Sequence, residues 1–206
     1  MEKIAVIGAG QMGNGIAQVA ASAGYDVLMV DIKQDFVDKG LSTIEKSLSK
    51  LVSKERMTQS DANDTLARIS TSIDRNDCRD ADLVVEAVPE VLDLKTSIFA
   101  ELDRICKPEC ILASNTSSIS ISTIANSTTR PDKVIGMHFM NPVPIMKLVE
   151  IINGDKTSNA TNAAVVSAAE HMGKTALSCN DSPGFISNRI LCPMLNEAIL
   201  ALEEGV

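Results

Sequence analysis

Residues 3–13 read Lys3-Ile4-Ala5-Val6-Ile7-Gly8-Ala9-Gly10-Gln11-Met12-Gly13. An apolar run passes straight into a G-x-G-x-x-G loop. Asn14 to Ala23 follows, rich in alanine and small residues, and reads as a helix. Strand, glycine turn and helix in that order are the setting in which this motif binds a dinucleotide. Gly8 permits the tight turn, Gly10 leaves the backbone open to a pyrophosphate, and Gly13 lets the helix pack closely on the sheet. The unpaired N–H groups of the first helical turn then face the phosphate charge. Taken alone, the motif also fits a glycine turn in another α/β unit.

A second signal narrows the reading. Tyr25 to Val30 form another apolar run, and Asp31 closes it 18 residues after Gly13. That is the place of the acid that accepts ribose hydroxyls. A 2′-phosphate would meet like charge there, so NAD(H) is preferred. Lys33, close by, offers an offsetting charge and leaves NADP(H) open. The competing role for Asp31 is to cap the helix predicted from Asp35.

At 206 residues the chain holds one good core and the start of a second domain. Hydrophobic residues make up 45% and charged residues 22%, a folded rather than disordered composition. A net charge of −8 argues against nucleic acid as a main partner. One Tyr, four Phe and no Trp argue against a base-stacking platform. No apolar run reaches transmembrane length, and no signal peptide precedes the first strand, so a cytoplasmic protein without a membrane partner is expected. The five cysteines are odd in number and lack metal-ligand spacing; they read as reduced thiols, and no metal site is expected.

Along the chain, Asp35 to Lys54 has Phe36, Val37, Leu41, Ile44, Leu48, Leu51 and Val52 at helical spacing. Lys46, Lys50 and Lys54 recur on another face, which is either a solvated surface or an anion-contacting edge. Further helices are predicted over Met57–Ala67, Asp93–Cys106, Ser120–Ala125 and Thr157–Met172. Further strands are predicted over Arg68–Ser72, Ala81–Val88, Cys110–Ala113, Val134–His138, Met146–Ile152 and Thr175–Ser178. The centre of Ala81–Val88 does not alternate, which suits a parallel strand covered on both faces. Asp181-Ser182-Pro183-Gly184-Phe185 opens a last helix to Glu204, with Asp181 or Ser182 as cap and Pro183 in the first turn. That helix is apolar over so much of its surface that it needs partners on several sides. The chain therefore reads as stopping early in a second domain, or as burying this helix against another subunit.

The predicted fold is α/β. Residues 1–182 form a Rossmann-type, mostly parallel sheet with helices on both faces. Residues 183–206 begin an all-α C-terminal domain.

Of two histidines, His171 lies at a helix end and reads as structural. His138 closes a strand, where reacting groups collect in open α/β sheets. A neutral imidazole there takes a proton from a hydroxyl, provided an acceptor on its other nitrogen fixes the tautomer. Glu150, on the next strand, is the candidate. The spacing fits a core histidine and an ordinary edge glutamate as well.

Five blocks in order carry a resemblance. They are Ile7–Gly13 with Gly15-Ile16-Ala17-Gln18; Glu86-Ala87-Val88-Pro89-Glu90 with Lys95; Ser114–Ser118; His138-Phe139-Met140-Asn141-Pro142 through Glu150; and Asp181–Ile186 with Asn188-Arg189. On these the chain resembles the short-chain L-3-hydroxyacyl-CoA dehydrogenases, in particular the bacterial 3-hydroxybutyryl-CoA branch. The resemblance implies His138 as catalytic base, Glu150 as its carboxylate partner and Ser117 as the hydroxyl on the substrate's reacting oxygen. It implies Asn188 as a substrate-holding group. It places the cofactor on Gly8, Gly10, Gln11, Met12, Gly13 and Asp31, and on Glu90, Lys95, Asn115, Ser117 and Asn141. Coenzyme A falls to Ser47 and Lys54. The implied reaction is reversible hydride transfer at C3 of a short-chain 3-hydroxyacyl-CoA, in a protein that forms a homodimer at full length. The chain departs from the family in its shorter length and in Pro89, which restricts Val88 to extended geometry. Two other readings compete: a related Rossmann-fold 3-hydroxyacid dehydrogenase with a lysine base, and an NAD-binding domain without chemistry.

Overall fold

The computed structural model describes all 206 residues. In chain order the elements are β1 (Lys3–Ile7), α1 (Gln11–Ser22), β2 (Asp26–Val30), α2 (Gln34–Ser53), α3 (Gln59–Ala67) and β3 (Ile69–Ser72). Then come β4 (Leu83–Glu86), α4 (Leu92–Ile105), β5 (Ile111–Ser114), α5 (Ile121–Ala125) and β6 (Val134–Phe139). The chain closes with β7 (Leu148–Asn153), α6 (Asn159–His171), β8 (Thr175–Asn180) and α7 (Ser187–Glu203). All eight predicted strands are present. They form one sheet in the order β3-β2-β1-β4-β5-β6-β7-β8.

The first six strands are parallel neighbours. β7 then runs antiparallel to β6, and β8 parallel to β7. Strand order reverses at β1, leaving a crevice between the loops after β1 and β4, the usual ligand position in such sheets. Alternate side chains enter two cores. Ile4, Val6, Leu83, Val85, Ile135, Met137, Val149 and Ile151 pack under α1, α2 and α6. Ala5, Ile7, Val84, Leu112, Val134 and Ile152 pack under α4 and α5. Double coverage explains why β4 is buried at every position, as its lack of alternation predicts. His138 and Glu150 share the second face, because residues two apart point the same way.

Three details differ from the sequence reading. Gly10 is the N-cap of α1, so that helix begins at Gln11 rather than Asn14. Neither Asp181 nor Ser182 caps the last helix, and Pro183 lies in the turn before it; α7 begins only at Ser187. Asp181 instead accepts hydrogen bonds from Ser120 Oγ (2.7 Å) and the Ser122 backbone N–H (2.8 Å), serving the start of α5. α7 also contains Pro193, which removes one internal hydrogen bond. None of its residues is buried: Ile190, Met194, Leu195, Ile199 and Leu202 stand exposed. No helix is long and apolar enough to cross a membrane.

Candidate active site

The crevice is a cleft of about 850 Å³, lined by the glycine loop, Asp31, the outer face of α2 and the loop after β4. Its floor is built by glycines. A Cβ on Gly13 would stand 1.7 Å from the Gly8 carbonyl oxygen, so only glycine lets α1 lie this close to β1. Gly8 has φ +103, which favours glycine, and its Cβ would meet Ala87 O at 2.7 Å. Gly10 is different: nothing lies within 4 Å of a Cβ placed there. The space above it belongs to the cleft. The first turn of α1 has no side-chain cap and no acidic residue, so its N–H groups are left for an anion. These features fit a dinucleotide pyrophosphate.

Asp31 does not cap α2; Lys33 holds that position. Its carboxylate accepts the Ala9 N–H (2.7 Å) and the Ile32 N–H (2.7 Å), tying the glycine loop to the end of β2 while lining the cleft. Lys39 and Arg75 line the same end, with Arg75 braced by Glu101 at 2.7 Å. Lys33 lies over the Phe36 ring, 5.7 Å from its centroid.

Beyond the other end of the crevice, three side chains form a relay. In antiparallel register His138 faces Glu150 across β6 and β7. His138 Nδ1 and Glu150 Oε2 are 2.8 Å apart, with Glu150 fully buried and His138 nearly so. Burial opposes ionisation of Glu150, but the hydrogen bonds from His138, from the Ser187 N–H and hydroxyl and from the Ile186 N–H outweigh it and hold the carboxyl below its ordinary value. An ionised Glu150 only accepts, so Nδ1 carries the proton that it receives. Nε2 is then a lone pair in the neutral ring, 3.1 Å from Ser117 Oγ, which donates to it. Asn188 Nδ2 donates to the Ser117 carbonyl oxygen at 3.3 Å. Ser117, His138, Glu150 and Asn188, scattered over 72 positions of the sequence, are thus brought together.

The loop carrying Ser117 is tied down by acids. Glu90 Oε1 accepts the Thr116 hydroxyl and the N–H groups of Ser117 (3.0 Å) and Ser118 (3.2 Å). Burial opposes its charge, but the Thr116 hydrogen bond and Lys95 prevail and keep the carboxyl below its usual range. Lys95 is itself enclosed, 1% exposed, with Glu86 at 2.7 Å, Glu90 at 3.3 Å and the Val88 carbonyl at 3.2 Å. All three of its protons are used within the protein, so Lys95 stands behind Glu90 as its support rather than in the open cleft. Glu86, fully buried, also accepts Ser114 Oγ and the Val88 N–H, both at 2.7 Å. Asn115 Oδ1 accepts the Phe139 N–H at 2.9 Å, fixing the end of β6 to the loop after β5. Asn141 Oδ1 accepts Gln11 Nε2 at 3.1 Å, a bridge from the β6–β7 connection to the start of α1.

Ser47 and Lys54 lie on α2 and at its C-cap, outside the relay. At 100° per residue they share a stripe with Lys39 and Thr43, which line the cleft. Sequence reasoning missed two side chains. Glu86 had a signal, a charge directly after the apolar run Leu83-Val84-Val85. Lys174 had none: it is buried without an acidic partner, and its ammonium donates to the carbonyls of Val143 and Met146 (2.9 Å), holding the loop that carries Asn141.

A dinucleotide cleft beside a hydroxyl–imidazole–carboxylate relay defines a nucleotide-dependent oxidoreductase domain. Residues 3–182 match the model of the 3-hydroxyacyl-CoA dehydrogenase NAD-binding domain. The chain is 58% identical over 205 residues to a probable 3-hydroxybutyryl-CoA dehydrogenase of Deinococcus radiodurans, covering 99% of this chain and 73% of that one. It is 51% identical to a probable 3-hydroxybutyryl-CoA dehydrogenase of Bacillus subtilis, over all of this chain and 72% of that one. Its structure superposes on the crystal structure of (S)-3-hydroxybutyryl-CoA dehydrogenase from Ralstonia eutropha with a TM-score of 0.98, at 48% identity, over 100% of this chain and 72% of that one. The chain belongs to the NAD-dependent 3-hydroxyacyl-CoA dehydrogenase family.

Proposed function

We propose that the protein interconverts short-chain 3-hydroxyacyl-CoA and 3-ketoacyl-CoA, 3-hydroxybutyryl-CoA and acetoacetyl-CoA foremost, in either direction. The observation that carries this reading is the relay Ser117–His138–Glu150, with one imidazole nitrogen held by a carboxylate and the other open to a hydroxyl. The glycine loop, the α1 N-terminus and Asp31 would hold the cofactor, with Glu90, Asn115, Ser117 and Asn141 nearer its reacting end. When bound, the nicotinamide supplies the acceptor or donor of hydride for substrate C3.

His138 does the proton chemistry. In oxidation its neutral Nε2 takes the substrate hydroxyl proton; in reduction the imidazolium returns one to the ketone oxygen. Glu150 stabilises the imidazolium without taking its proton, because its carboxyl sits low. Ser117 Oγ, now donating to Nε2, turns to the substrate oxygen when that oxygen occupies the site. Asn188, on the first turn of α7, holds substrate beside it. The α2 stripe from Lys39 through Ser47 to Lys54 is suited to the anionic coenzyme A moiety. Asp31 favours NAD(H), while Lys33, Lys39 and Arg75 at the same end support tolerance of NADP(H). We further propose a homodimer at full length, as the family resemblance implies, and a cytoplasmic location.

The test is NADH oxidation with acetoacetyl-CoA and, separately, with free acetoacetate, on a sample whose NADH binding has been measured. Turnover of the thioester only is expected, with a loss of about 10²–10⁴-fold in His138→Gln. A folded, NADH-binding protein inert toward the thioester, both as this chain and as one extended to the length of its relatives, rejects the reading. Equal use of the free acid favours a 3-hydroxyacid dehydrogenase.

A further inference from the structure

The members of the relay come from three elements, the β5–α5 loop, β6 and β7. One short segment, residues 185–188, touches all of them. The Phe185 ring packs edge-on to the imidazole with centroids 5.9 Å apart. The backbone N–H groups of Ile186 and Ser187 donate to Glu150 Oε1 at 3.1 and 2.8 Å. Asn188 holds the Ser117 carbonyl. Those two N–H groups are the positive end of α7, which has no side-chain cap from its own sequence and no acidic residue in its first turn. A carboxylate on β7 serves instead.

The backbone is bent to deliver them. Gly184 has φ +78, and a Cβ there would stand 2.8 Å from the Arg189 nitrogen. Phe185 follows with φ +52, a rare conformation for a bulky residue, and its ring is almost fully buried. Two successive left-handed residues turn the chain so that the next two N–H groups converge on one oxygen of Glu150.

We propose that residues 185–188 are a positioning element for the relay, in which the α7 N-terminus shares Glu150 with His138 and so limits how strongly that carboxylate holds a proton on the imidazole. The proposal rests on the reading of His138 as the proton-transfer group. Each carboxylate oxygen has its own partner, the imidazole on Oε2 and the helix end on Oε1. Charge drawn toward the helix is charge not spent on the imidazolium, which keeps the neutral ring available as a base. The depressed Glu150 carboxyl agrees with this. The other ionisable groups around the pair are otherwise engaged. Cys179 on β8 is a neutral thiol, pushed up to about 11 by burial and by the charges of Glu150 and Asp181. Asp181 is turned onto Ser120 and Ser122. Arg189 bonds Ser182. Glu90, beyond Ser117, is paired with Lys95. Besides the imidazole, the helix end is the positive group on Glu150.

Ser187→Pro removes one of the two N–H groups at the first helical position, where proline is tolerated. Ser187→Ala keeps that N–H and removes only the hydroxyl, which also helps to lower Glu150, so it is the control that isolates the N–H. The His138 ring resonance is followed against pH by NMR in the parent and both variants. In the parent, the amide resonances of Ile186 and Ser187 are followed as well. The imidazole titration is expected to move toward higher pH by roughly half a pH unit in the proline variant and by less in the alanine variant. The two parent amides are expected to shift with the same midpoint as the imidazole. Coincident imidazole curves in all three proteins overturn the proposal, and so do parent amides indifferent to His138 protonation. Ile186 sits in the α region, which proline disfavours for its predecessor, so the parent amide measurement stands alone if that variant does not fold. Neither measurement needs turnover, so a failed dehydrogenase assay is a separate result.

Discussion

Replacing Lys95 with methionine isolates the cost of the buried charges beneath the cleft. Lys95 is 1% exposed and Glu86 is fully buried, so bulk solvent reaches neither group. After Lys95→Met, Glu86 keeps only the neutral donors Ser114 Oγ and Val88 N–H. An uncompensated charge of this kind destabilises a fold by about 3–5 kcal/mol. At about 2–4 °C per kcal/mol for a domain of this size, the melting temperature falls by about 6–20 °C. Adding Glu86→Gln removes the orphaned charge at nearly equal volume: the amide oxygen still accepts the Val88 N–H and the new NH2 meets the Ser114 hydroxyl, which turns to accept it, so the double variant recovers most of the loss. Circular dichroism melts at neutral pH read both. If the single variant melts within about 2 °C of the parent, the pair is not charged in the sense argued. If the double variant is as weak as the single, the Glu86 charge is not responsible, and the loss lies in packing or in the Glu90 carboxylate left without Lys95.

Three other expectations follow from the same structure. Gly10→Ala melts like the parent, since nothing within 4 Å opposes the new methyl, yet loses roughly tenfold or more in NADH affinity by calorimetry; unchanged affinity would mean that the space above Gly10 is not where the cofactor lies. Gly13→Ala, with its Cβ 1.7 Å from a carbonyl oxygen, yields little folded protein in a solubility screen, and a normal melt would contradict the packing described. Burial opposes ionisation of Glu150, Asp103 and Asp181, but hydrogen bonds prevail and lower all three from ordinary values of 4.5, 3.8 and 3.8. The unfolded chain therefore binds more protons than the folded one on acidification. Their stabilisation is complete above about pH 5 and is lost as the pH falls below about 4, visible as a falling urea midpoint; a midpoint flat down to about pH 3 refutes it.

Much of this was legible in the sequence because the signals are local. The glycine loop, the apolar runs and Asp31 each act within a few residues of where they stand, and all eight strands follow from them. The direction of β7 was not legible, since an apolar strand has the same composition whichever way it runs. The partners of buried polar groups were also hidden. Glu86 and Lys95 lie nine residues apart, but their pairing depends on α4 folding back over β4. Lys174 is satisfied by carbonyl groups of the loop before β7, which leave no trace in residue type. The motif Asp181–Phe185 was visible, and its local reading as a helix cap failed for the same reason. Asp181 serves α5, and the cap of α7 comes from Glu150, 36 residues earlier than the N–H it accepts.

The antiparallel step from β6 to β7 also bears on how the chain finds its native pairing. In a strand the side chains alternate between faces, so a slip of one residue would turn Glu150 toward the α1, α2 and α6 core and leave His138 facing an isoleucine or valine. A lone carboxylate in that apolar layer is prohibitive. A slip of two would keep the face but move the acid out of reach of the imidazole and of the α7 amides. The pair that handles the proton thus also acts as a proofreader of strand alignment. A chain folded in the wrong register is penalised thermodynamically at the same residues that would make it inactive, so misaligned forms are selected against by folding itself.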